Sequence, residues 1–435
     1  MIKVAGNNLA AIVCCSELVR YGIPVRHVSN HDIRLGGHFA GLLYKEKRID
    51  LGMVLLEPRF DLMETDIAEY QSQFGQQVNQ FNQAVFSWLI SRNTFLNLIP
   101  ILSHFKSKLV GDVVIADDLS FLDLLSPSEQ HAIIEEITIR IQKSKHHPRD
   151  KAHSTYFQET SLREVYYEIY GPLFSKFLLG NLELLAGANG LEAVAQFHRL
   201  LWTPLYYPEN ILSYLKTGDS GFPILDFYVP NNSSISQLVE NIIEEMKSSP
   251  YYSSQLLPND EYSSMVKKCI RNDFVETVIF ADERDLFDEN LNAPGTMVAI
   301  VIAEIDSNLE LVVHNLDTAS KWYRATLRGQ DLGVAVIEIG EVSPDETDAS
   351  ILSRASQCAS SVGVGNLIEP VILKSRIYIF PPRIGAFFRN RHSKIKSVVN
   401  SNPSCYLTNE TTGSFNNQVC LGLKSSQVII RGAIK

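Results

Sequence analysis

The pattern of apolar and polar positions at the amino terminus predicts the order strand, turn, helix, strand. Residues 2–5 are an apolar run of strand length, and a turn follows from Gly6 to Ala11. Apolar residues at helical spacing then cover residues 12–21, and a second short strand pattern covers residues 25–29. This order is typical of the first part of a dinucleotide-binding α/β domain.

Further along the chain the apolar pattern alternates between helical and strand-like spacing, which favours an α/β fold. Residues 274–282 are nearly all apolar, as expected for a strand buried in a parallel sheet. The other predicted elements are, in chain order, a helix over 61–105, a strand over 109–116, a helix through 141, an N-capped helix over 160–171, a loop at 218–221, a helix over 234–246, a strand over 265–270, strands between 297 and 339, a helix over 351–358, a strand over 371–380 and a final helix from about 422.

The turn from Gly6 to Ala11 determines what the first strand and helix bind. A glycine-rich strand-to-helix turn brings backbone N–H groups and the positive end of a helix against a pyrophosphate. The fingerprint is G-x-G-x-x-G/A, and this chain has Gly6, Asn8 and Ala11 at its three defining positions. Asn8 tolerates the turn, but its side chain occupies space through which the phosphates approach. Asn30 stands at the end of the second strand, where a carboxylate is expected to bind ribose.

Composition narrows the class of protein. The chain has 435 residues, 45% of them hydrophobic and 20% charged, which suits two or three globular domains. Its net charge of −10 argues against nonspecific binding to nucleic acid, and we interpret the basic stretch at residues 143–151 as a solvated loop. No apolar run in the sequence approaches the ~20 residues that span a bilayer. We therefore expect a cytoplasmic protein without a membrane span.

The cysteines exclude two kinds of site. The six of them are scattered, without C-x-x-C spacing and without histidines at metal-ligand spacing. We expect neither a disulfide framework nor a structural zinc, and no metal is predicted.

The order of segments resembles the superfamily of FAD-dependent amine oxidases and protoporphyrinogen oxidases, to which UDP-galactopyranose mutase is related. In that superfamily the glycine turn is followed by an R-x-G-G segment and then by a D-x-G segment. This chain matches them with Arg34, Gly36 and Gly37, and with Asp50 and Gly52. The double glycine lets the backbone pass close to the cofactor phosphates.

The resemblance implies an α/β fold, with a Rossmann-like FAD-binding domain and a discontinuous α+β substrate domain. Residues 1–70, 215–295 and 385–435 would build the FAD-binding domain, residues 71–214 a mainly helical part of the substrate domain, and residues 296–384 its β-sheet part. The residues that match FAD-binding positions are Gly6, Asn8, Ala11, Asn30, Arg34, Gly36, Gly37, Val266 beside the adenine, and Asn409, Glu410 and Gly413 beside the ribityl chain.

The resemblance also implies a reaction. A FAD-dependent oxidoreductase of this type oxidises an amine or another small metabolite by hydride transfer to the flavin. No proton-transfer dyad is recognisable in the sequence, and the candidate catalytic residues are Arg324, Tyr378 and His38.

Two other functions stay open. One is a mutase-like enzyme that binds a nucleotide sugar through Arg324, and the other is a scaffold protein that keeps the fold without FAD. A small-molecule substrate is the expected partner of either enzyme, nucleic acid is not, and a homodimer stays open.

Overall fold

The computed structural model describes residues 1–52, 54–56, 84–143, 155–195, 203–221, 224–271, 277–281, 295–378, 404–407 and 415–433. Its strands are β1 (Ile2–Ala5), β2 (Val25–Asn30), β3 (Leu42–Tyr44), β4 (Lys47–Ile49), β5 (Leu96–Ile99), β6 (Ile101–Phe105), β7 (Lys108–Gly111), β8 (Phe227–Pro230), β9 (Tyr252–Leu257), β10 (Thr277–Ala281), β11 (Gly295–Glu304), β12 (Glu310–Asn315), β13 (Arg324–Arg328), β14 (Val334–Ile339), β15 (Ile368–Tyr378) and β16 (Cys405–Leu407).

The labelled α-helices are α1 (Leu9–Arg20), α2 (Pro127–Lys143), α3 (Thr155–Glu159), α4 (Leu162–Tyr170), α5 (Pro172–Leu191), α6 (Pro208–Thr217), α7 (Ile235–Ser248), α8 (Asn259–Arg271), α9 (Asp348–Ser361) and α10 (Phe415–Ala433). Residues 84–91 are also helical, and two short 3-10 helices cover Gly37–Ala40 and Ser120–Leu124. No helix in the described part of the chain is long and apolar enough to cross a membrane.

The chain divides into two compact units. The first consists of residues 1–98, 227–290 and 391–435, and the second of residues 99–226 and 291–390. Each unit is therefore built from separate stretches of the sequence, as discontinuous domains are.

The first unit is built on a five-stranded sheet in the order β16-β10-β1-β2-β9. All four strand pairs are parallel, with Val4 beside Val278 on one side and beside His27 on the other. The chain runs outward from β1 through β2 to β9 and then returns to β10 on the opposite side of β1. The strand order therefore reverses between β1 and β10, and a crevice forms at the carboxyl ends of strands at such a point.

Helix α1 covers one face of this sheet and is almost completely buried. It packs with α7 and α10 through apolar side chains that include Ile12, Val13, Ile242 and Val419. Helix α8 covers the other face, where Val266 contacts apolar residues of the sheet such as Val28. Because both faces are covered, β1 lies in the interior and its carboxyl end is fixed in position.

The second unit is built on a seven-stranded sheet in the order β15-β11-β14-β13-β12-β6-β7. Its strand pairs are antiparallel except for β6 and β12. Val313, Ala325 and Ile337 are register partners on neighbouring strands and pack against α9 in one apolar core. The opposite face of this sheet carries a row of buried polar side chains.

Several predicted elements are confirmed, three are wrong, and the strand predicted over 109–116 ends early. Strand β7 stops at Gly111, because the Asp112 carboxylate accepts from the backbone N–H groups of Ile115 and Ala116 and holds these residues in a loop. The strand predicted at residues 2–5 is β1, and the helix predicted over 234–246 corresponds to α7. Residues 265–270 lie inside α8 rather than in a strand, residues 96–105 form β5 and β6 around Pro100 rather than a helix, and α10 begins at Phe415 rather than near residue 422. The predicted helical residues 61–83 and basic residues 144–151 lie outside the described residues.

Substitution of Gly6 tests how tightly the β1–α1 turn is packed. Its φ of +149° is unfavourable for other residues, and a Cβ there would lie 2.9 Å from both the Ala11 Cβ and the Phe280 carbonyl oxygen. We expect Gly6→Ala to lower the free energy of unfolding by about 3 kcal/mol, measured by urea denaturation. Gly22→Ala is the matched control, because Gly22 also has a positive φ but its Cβ would meet only the Tyr251 ring, at 3.7 Å. Equal losses in the two variants would contradict the close approach.

Candidate functional site

The turn between β1 and α1 is bridged to β10 by Asn8. Asn8 is the N-cap of α1, with φ −78° and ψ 168°, so its backbone does not require glycine. Its Oδ1 accepts a hydrogen bond from the Ala11 N–H at 3.1 Å, and its Nδ2 donates to the Phe280 carbonyl at 2.9 Å. The Asn8 amide therefore lies across the point where the strand order reverses, where the fingerprint expects an open glycine.

A second amide reaches the same helix end from far along the sequence. The Leu9 N–H donates to Oε1 of Gln418 at 3.0 Å, and Gln418 lies on α10 with only 6% of its surface exposed. Leu9, Ala10 and Ala11 are fully buried. No local sequence pattern points to Gln418, because 409 residues separate it from Leu9.

Asn7 ties the turn to the end of β2. Its Oδ1 accepts from the Asn30 N–H at 2.7 Å, its Nδ2 donates to the Asn30 carbonyl at 2.9 Å, and its own carbonyl accepts from the Gly36 N–H at 2.8 Å. Sequence analysis missed this role, although the adjacent pair Asn7-Asn8 in place of small residues was a visible signal. Asn7 thus brings Gly6, Asn30 and Gly36 together.

Asn30 uses both ends of its amide within the protein. Its Nδ2 donates to Oδ1 of Asn259 at 2.8 Å, and its Oδ1 accepts from the Asp32 N–H at 2.9 Å. These contacts hold the loop after β2. A ribose hydroxyl at this position would have to share or replace them.

The double glycine lies beside the turn, as the sequence predicts. Gly36 has a left-handed φ of +94° and forms an isolated bridge with Asn8, and Gly37 begins the first 3-10 helix. Arg34 is exposed, with its guanidinium 3.2 Å from the Gly41 carbonyl and 3.8 Å from the Glu240 carboxylate. His38 is also exposed, and its ring centroid lies 5.2 Å from that of Phe39.

Val266 does not join this cluster. Val266, predicted on a strand backbone beside adenine, is fully buried in α8 against the sheet. Its backbone groups are therefore part of a helix and not of a strand. Asn409, Glu410 and Gly413 lie outside the described residues.

The second unit carries a row of polar side chains on the sheet face opposite α9. Ser103, His314, Arg324 and Glu338 are successive register partners on β6, β12, β13 and β14, and all four are buried. The Nη2 of Arg324 donates to both carboxylate oxygens of Glu338, at 2.8 and 2.6 Å, while its Nε has no hydrogen-bond partner. Arg324 is thus an ion-paired core residue. Tyr378 ends β15, where it is the register partner of Gly295.

Asp112 and His314 form a buried pair that the sequence did not reveal. The Nδ1 of His314 donates to Oδ2 of Asp112 at 2.8 Å, and the Ser103 hydroxyl donates to the same oxygen at 2.9 Å. The other oxygen accepts from the backbone N–H of Ile115 at 2.7 Å. The two residues are 202 positions apart, so spacing gave no signal for a carboxylate that orients an imidazole.

Metal and thiol chemistry find no support in the described residues. These residues contain no group of three His, Cys, Asp or Glu side chains that could hold a metal ion. Cys14, Cys15 and Cys358 are free and completely buried, and burial raises the pKa of each thiol. They are packing residues.

Comparison with known proteins identifies the fold. No family model matches this chain, and no curated protein matches it. A reduced UDP-galactopyranose mutase aligns at 12% identity over 100% of this chain and 94% of its own, with a TM-score of 0.57. A putrescine oxidase variant aligns at 11% identity over 99% and 98%, with a TM-score of 0.51. An oxidoreductase from Methanosarcina mazei aligns at 12% identity over 98% and 99%, with a TM-score of 0.50.

This chain has the fold of these proteins. The predicted fold class is therefore confirmed, and so is the resemblance to the FAD-dependent amine oxidase superfamily at the level of the fold. Sequence identities of 12%, 11% and 12% do not show which substrate this chain acts on.

The β1–α1 turn fits a dinucleotide, but it must give up hydrogen bonds to bind one. Gly6 allows the turn to pack closely against Ala11 and Phe280, and α1 has no acidic residue in its first turn to repel phosphate. Two of its buried N–H groups, those of Leu9 and Ala11, already have side-chain acceptors. Each such bond contributes only about 1 kcal/mol net, whereas nanomolar cofactor binding amounts to about 12 kcal/mol. The occupied donors would therefore weaken the binding of a dinucleotide and would not by themselves prevent it.

His27 provides a pH test of the turn. The imidazole is buried beneath the turn, where its Nε2 donates to the Gly6 carbonyl at 2.7 Å and its Nδ1 accepts from the Tyr252 hydroxyl at 3.0 Å. Burial lowers the pKa of His27; the Gly6 contact raises it, and the charge of Lys247 lowers it further. The folded state thus holds His27 neutral. Its contribution to stability is complete above the unfolded pKa of about 6.5 and is lost as the pH falls below it.

We expect His27→Gln to reduce the loss of unfolding free energy between about pH 6.5 and 5, measured by urea denaturation at a series of pH values. His131→Gln is the control, because the His131 side chain is 74% exposed and should leave that slope unchanged. An unchanged slope in the His27 variant would contradict the neutral, buried imidazole.

Substitution of Asp112 tests how much the polar row of the second unit contributes to stability. Burial raises the pKa of Asp112, but the charge of His314 and hydrogen bonds from His314, Ile115 and Ser103 lower it to a net value below its ordinary range. Its contribution is therefore present above about pH 4 and is lost as the pH falls. We expect Asp112→Asn to lower the free energy of unfolding at pH 7 by about 3 kcal/mol.

The exposed Asp348→Asn on α9 is the control, and we expect it to change stability by less than about 0.5 kcal/mol. A double-mutant cycle with His314→Gln measures the coupling of the pair. Additive effects would contradict it.

Proposed function

We propose that this chain is a flavin-dependent oxidoreductase that binds FAD in its first unit and oxidises an amine or another small metabolite. The observation that carries the proposal is the reversal of the strand order between β1 and β10, at the point where helix α1 begins. Dinucleotides bind at such a point in α/β folds. The likeness of the whole chain to a putrescine oxidase variant and to an oxidoreductase supports the same reading.

The residues that would hold the cofactor are those gathered by the turn. Gly6 and Gly36 would shape the turn, since the absence of their side chains makes room for Phe280 and Val239. The first turn of α1 would donate N–H groups to the pyrophosphate, and Asn30 would meet the ribose in place of a carboxylate. Bound flavin supplies the electron chemistry of the reaction. The protein's part is to orient the cofactor and to exclude water around it.

Two specific observations favour other functions. The contacts of Asn8, Gln418 and Asn30 favour a protein that keeps the fold without FAD, because they satisfy polar groups that a cofactor would otherwise meet. The TM-score of 0.57 to a reduced UDP-galactopyranose mutase favours a mutase-like enzyme. Arg324 supports that second candidate weakly, since Glu338 already neutralises its charge.

The absorption spectrum of the freshly purified full chain separates these functions. We expect a flavin band, with the released chromophore identified as FAD by mass spectrometry, and bleaching of that band by an amine substrate without oxygen. A colourless protein that takes up no added FAD would favour the cofactor-free function. Binding of a uridine diphosphate ligand only after reduction, lost in Arg324→Ala, would favour the mutase-like function.

A further inference from the structure

The amino terminus of α1 receives one acceptor from its N-cap and one from a distant helix, as the amino terminus of α7 receives the Asp50 carboxylate besides its own N-cap. A helix leaves its first N–H groups without backbone acceptors, and a single N-cap side chain normally serves one of them. The N-caps Ser161, Ser234 and Thr347 of α4, α7 and α9 do this locally, each accepting from the N–H three residues ahead. Asn8 does the same for α1.

Helix α1 receives an additional acceptor from Gln418. The Gln418 side chain comes from α10, is almost completely buried, and meets the Leu9 N–H at 3.0 Å. Leu9 N–H is also among the groups that a phosphate at this helix end would meet. The side chain therefore competes directly with a phosphate oxygen for one donor.

The Asn8 side chain lies at the same turn, between β10 and the first turn of α1. Its amide donates to the Phe280 carbonyl of β10 at 2.9 Å and accepts from the Ala11 N–H at 3.1 Å. The Gln418 amide thus accepts from the Leu9 N–H, and the Asn8 amide accepts from the Ala11 N–H. Both amides are neutral, so they satisfy hydrogen bonds without cancelling the positive end of the helix.

We propose that Gln418 and Asn8 stand in for the cofactor phosphate in the cofactor-free chain, and thereby make FAD binding weak and reversible. This inference rests on the proposed function, because it concerns the affinity of the same site. It assigns a regulatory role to two residues of this chain: they stabilise the form without cofactor, and they must be displaced for binding.

Two substitutions at position 418 should act in opposite directions. Gln418→Ala removes the competing acceptor, so we expect about fivefold tighter FAD binding and a lower thermal midpoint without FAD. Gln418→Glu keeps the shape and places a carboxylate at the helix end, so we expect FAD binding at least about tenfold weaker, with an unchanged or higher midpoint. Fluorescence titration of FAD and thermal unfolding give the two readouts.

Thr347→Ala is the matched control. Thr347 caps α9 in the second unit as Asn8 caps α1, so its loss should lower the midpoint and leave the FAD dissociation constant unchanged. If Gln418→Ala does not fold, Asn8→Gly replaces it, since glycine is tolerated at an N-cap and this change removes the Phe280 contact. We expect it also to tighten FAD binding.

The outcomes separate this inference from the proposed function. A wild-type chain that takes up no added FAD, beside a Gln418→Ala chain that binds it, would support the inference that these side chains oppose the cofactor and would contradict the proposed function. A wild-type chain with stoichiometric FAD, whose affinity Gln418→Ala leaves unchanged or weakens, would support the proposed function and overturn the inference. Failure of every variant and of the wild type to bind FAD would show that both are wrong.

Discussion

The buried amino terminus of α1 is the constraint on which the first unit depends. A helix that begins against the carboxyl edge of a sheet has N–H groups in its first turn that water cannot reach. Each of these groups needs an acceptor from the protein or from a ligand. In this chain Asn8 and Gln418 provide acceptors, Asn7 ties the turn to β2, and His27 fixes the Gly6 carbonyl from below. Apolar packing places α10 against α1, and that packing brings the Gln418 amide within reach of the Leu9 N–H.

The second unit meets the same requirement with charged groups. Arg324 is paired with Glu338, and Asp112 collects hydrogen bonds from His314, Ser103 and two backbone N–H groups. Buried charges with such partners are tolerated, whereas removal of one partner leaves the other charge buried without a partner. The polar row is therefore satisfied within the sheet, where its members are register partners on β6, β12, β13 and β14.

Local patterns explain which parts of this structure the sequence could predict. Strand β1 and helix α7 follow from runs of apolar residues at clear spacing, and the double glycine at Gly36 and Gly37 follows from its place after β2. The helical period of α8 was missed because the window of residues 265–270 excludes Tyr262, which is buried one turn before Val266. Gln418, Asp112 and His314 were out of reach, since their partners are set by tertiary packing across 409 and 202 residues.

The type of side chain at Asn8 and Gln418 determines whether the β1–α1 turn still attracts an anion. Apolar side chains in the crevice would close it and leave the helix donors unsatisfied, while acidic ones would bond those donors and cancel the positive helix end. Asn8 and Gln418 are neutral amides, which bond the donors but leave the attraction for an anion in place. The first turn of α1 also lacks acidic residues. The combination of neutral acceptors and an uncancelled helix end therefore leaves the turn able to attract an anion, which is the condition that the proposed binding of FAD requires.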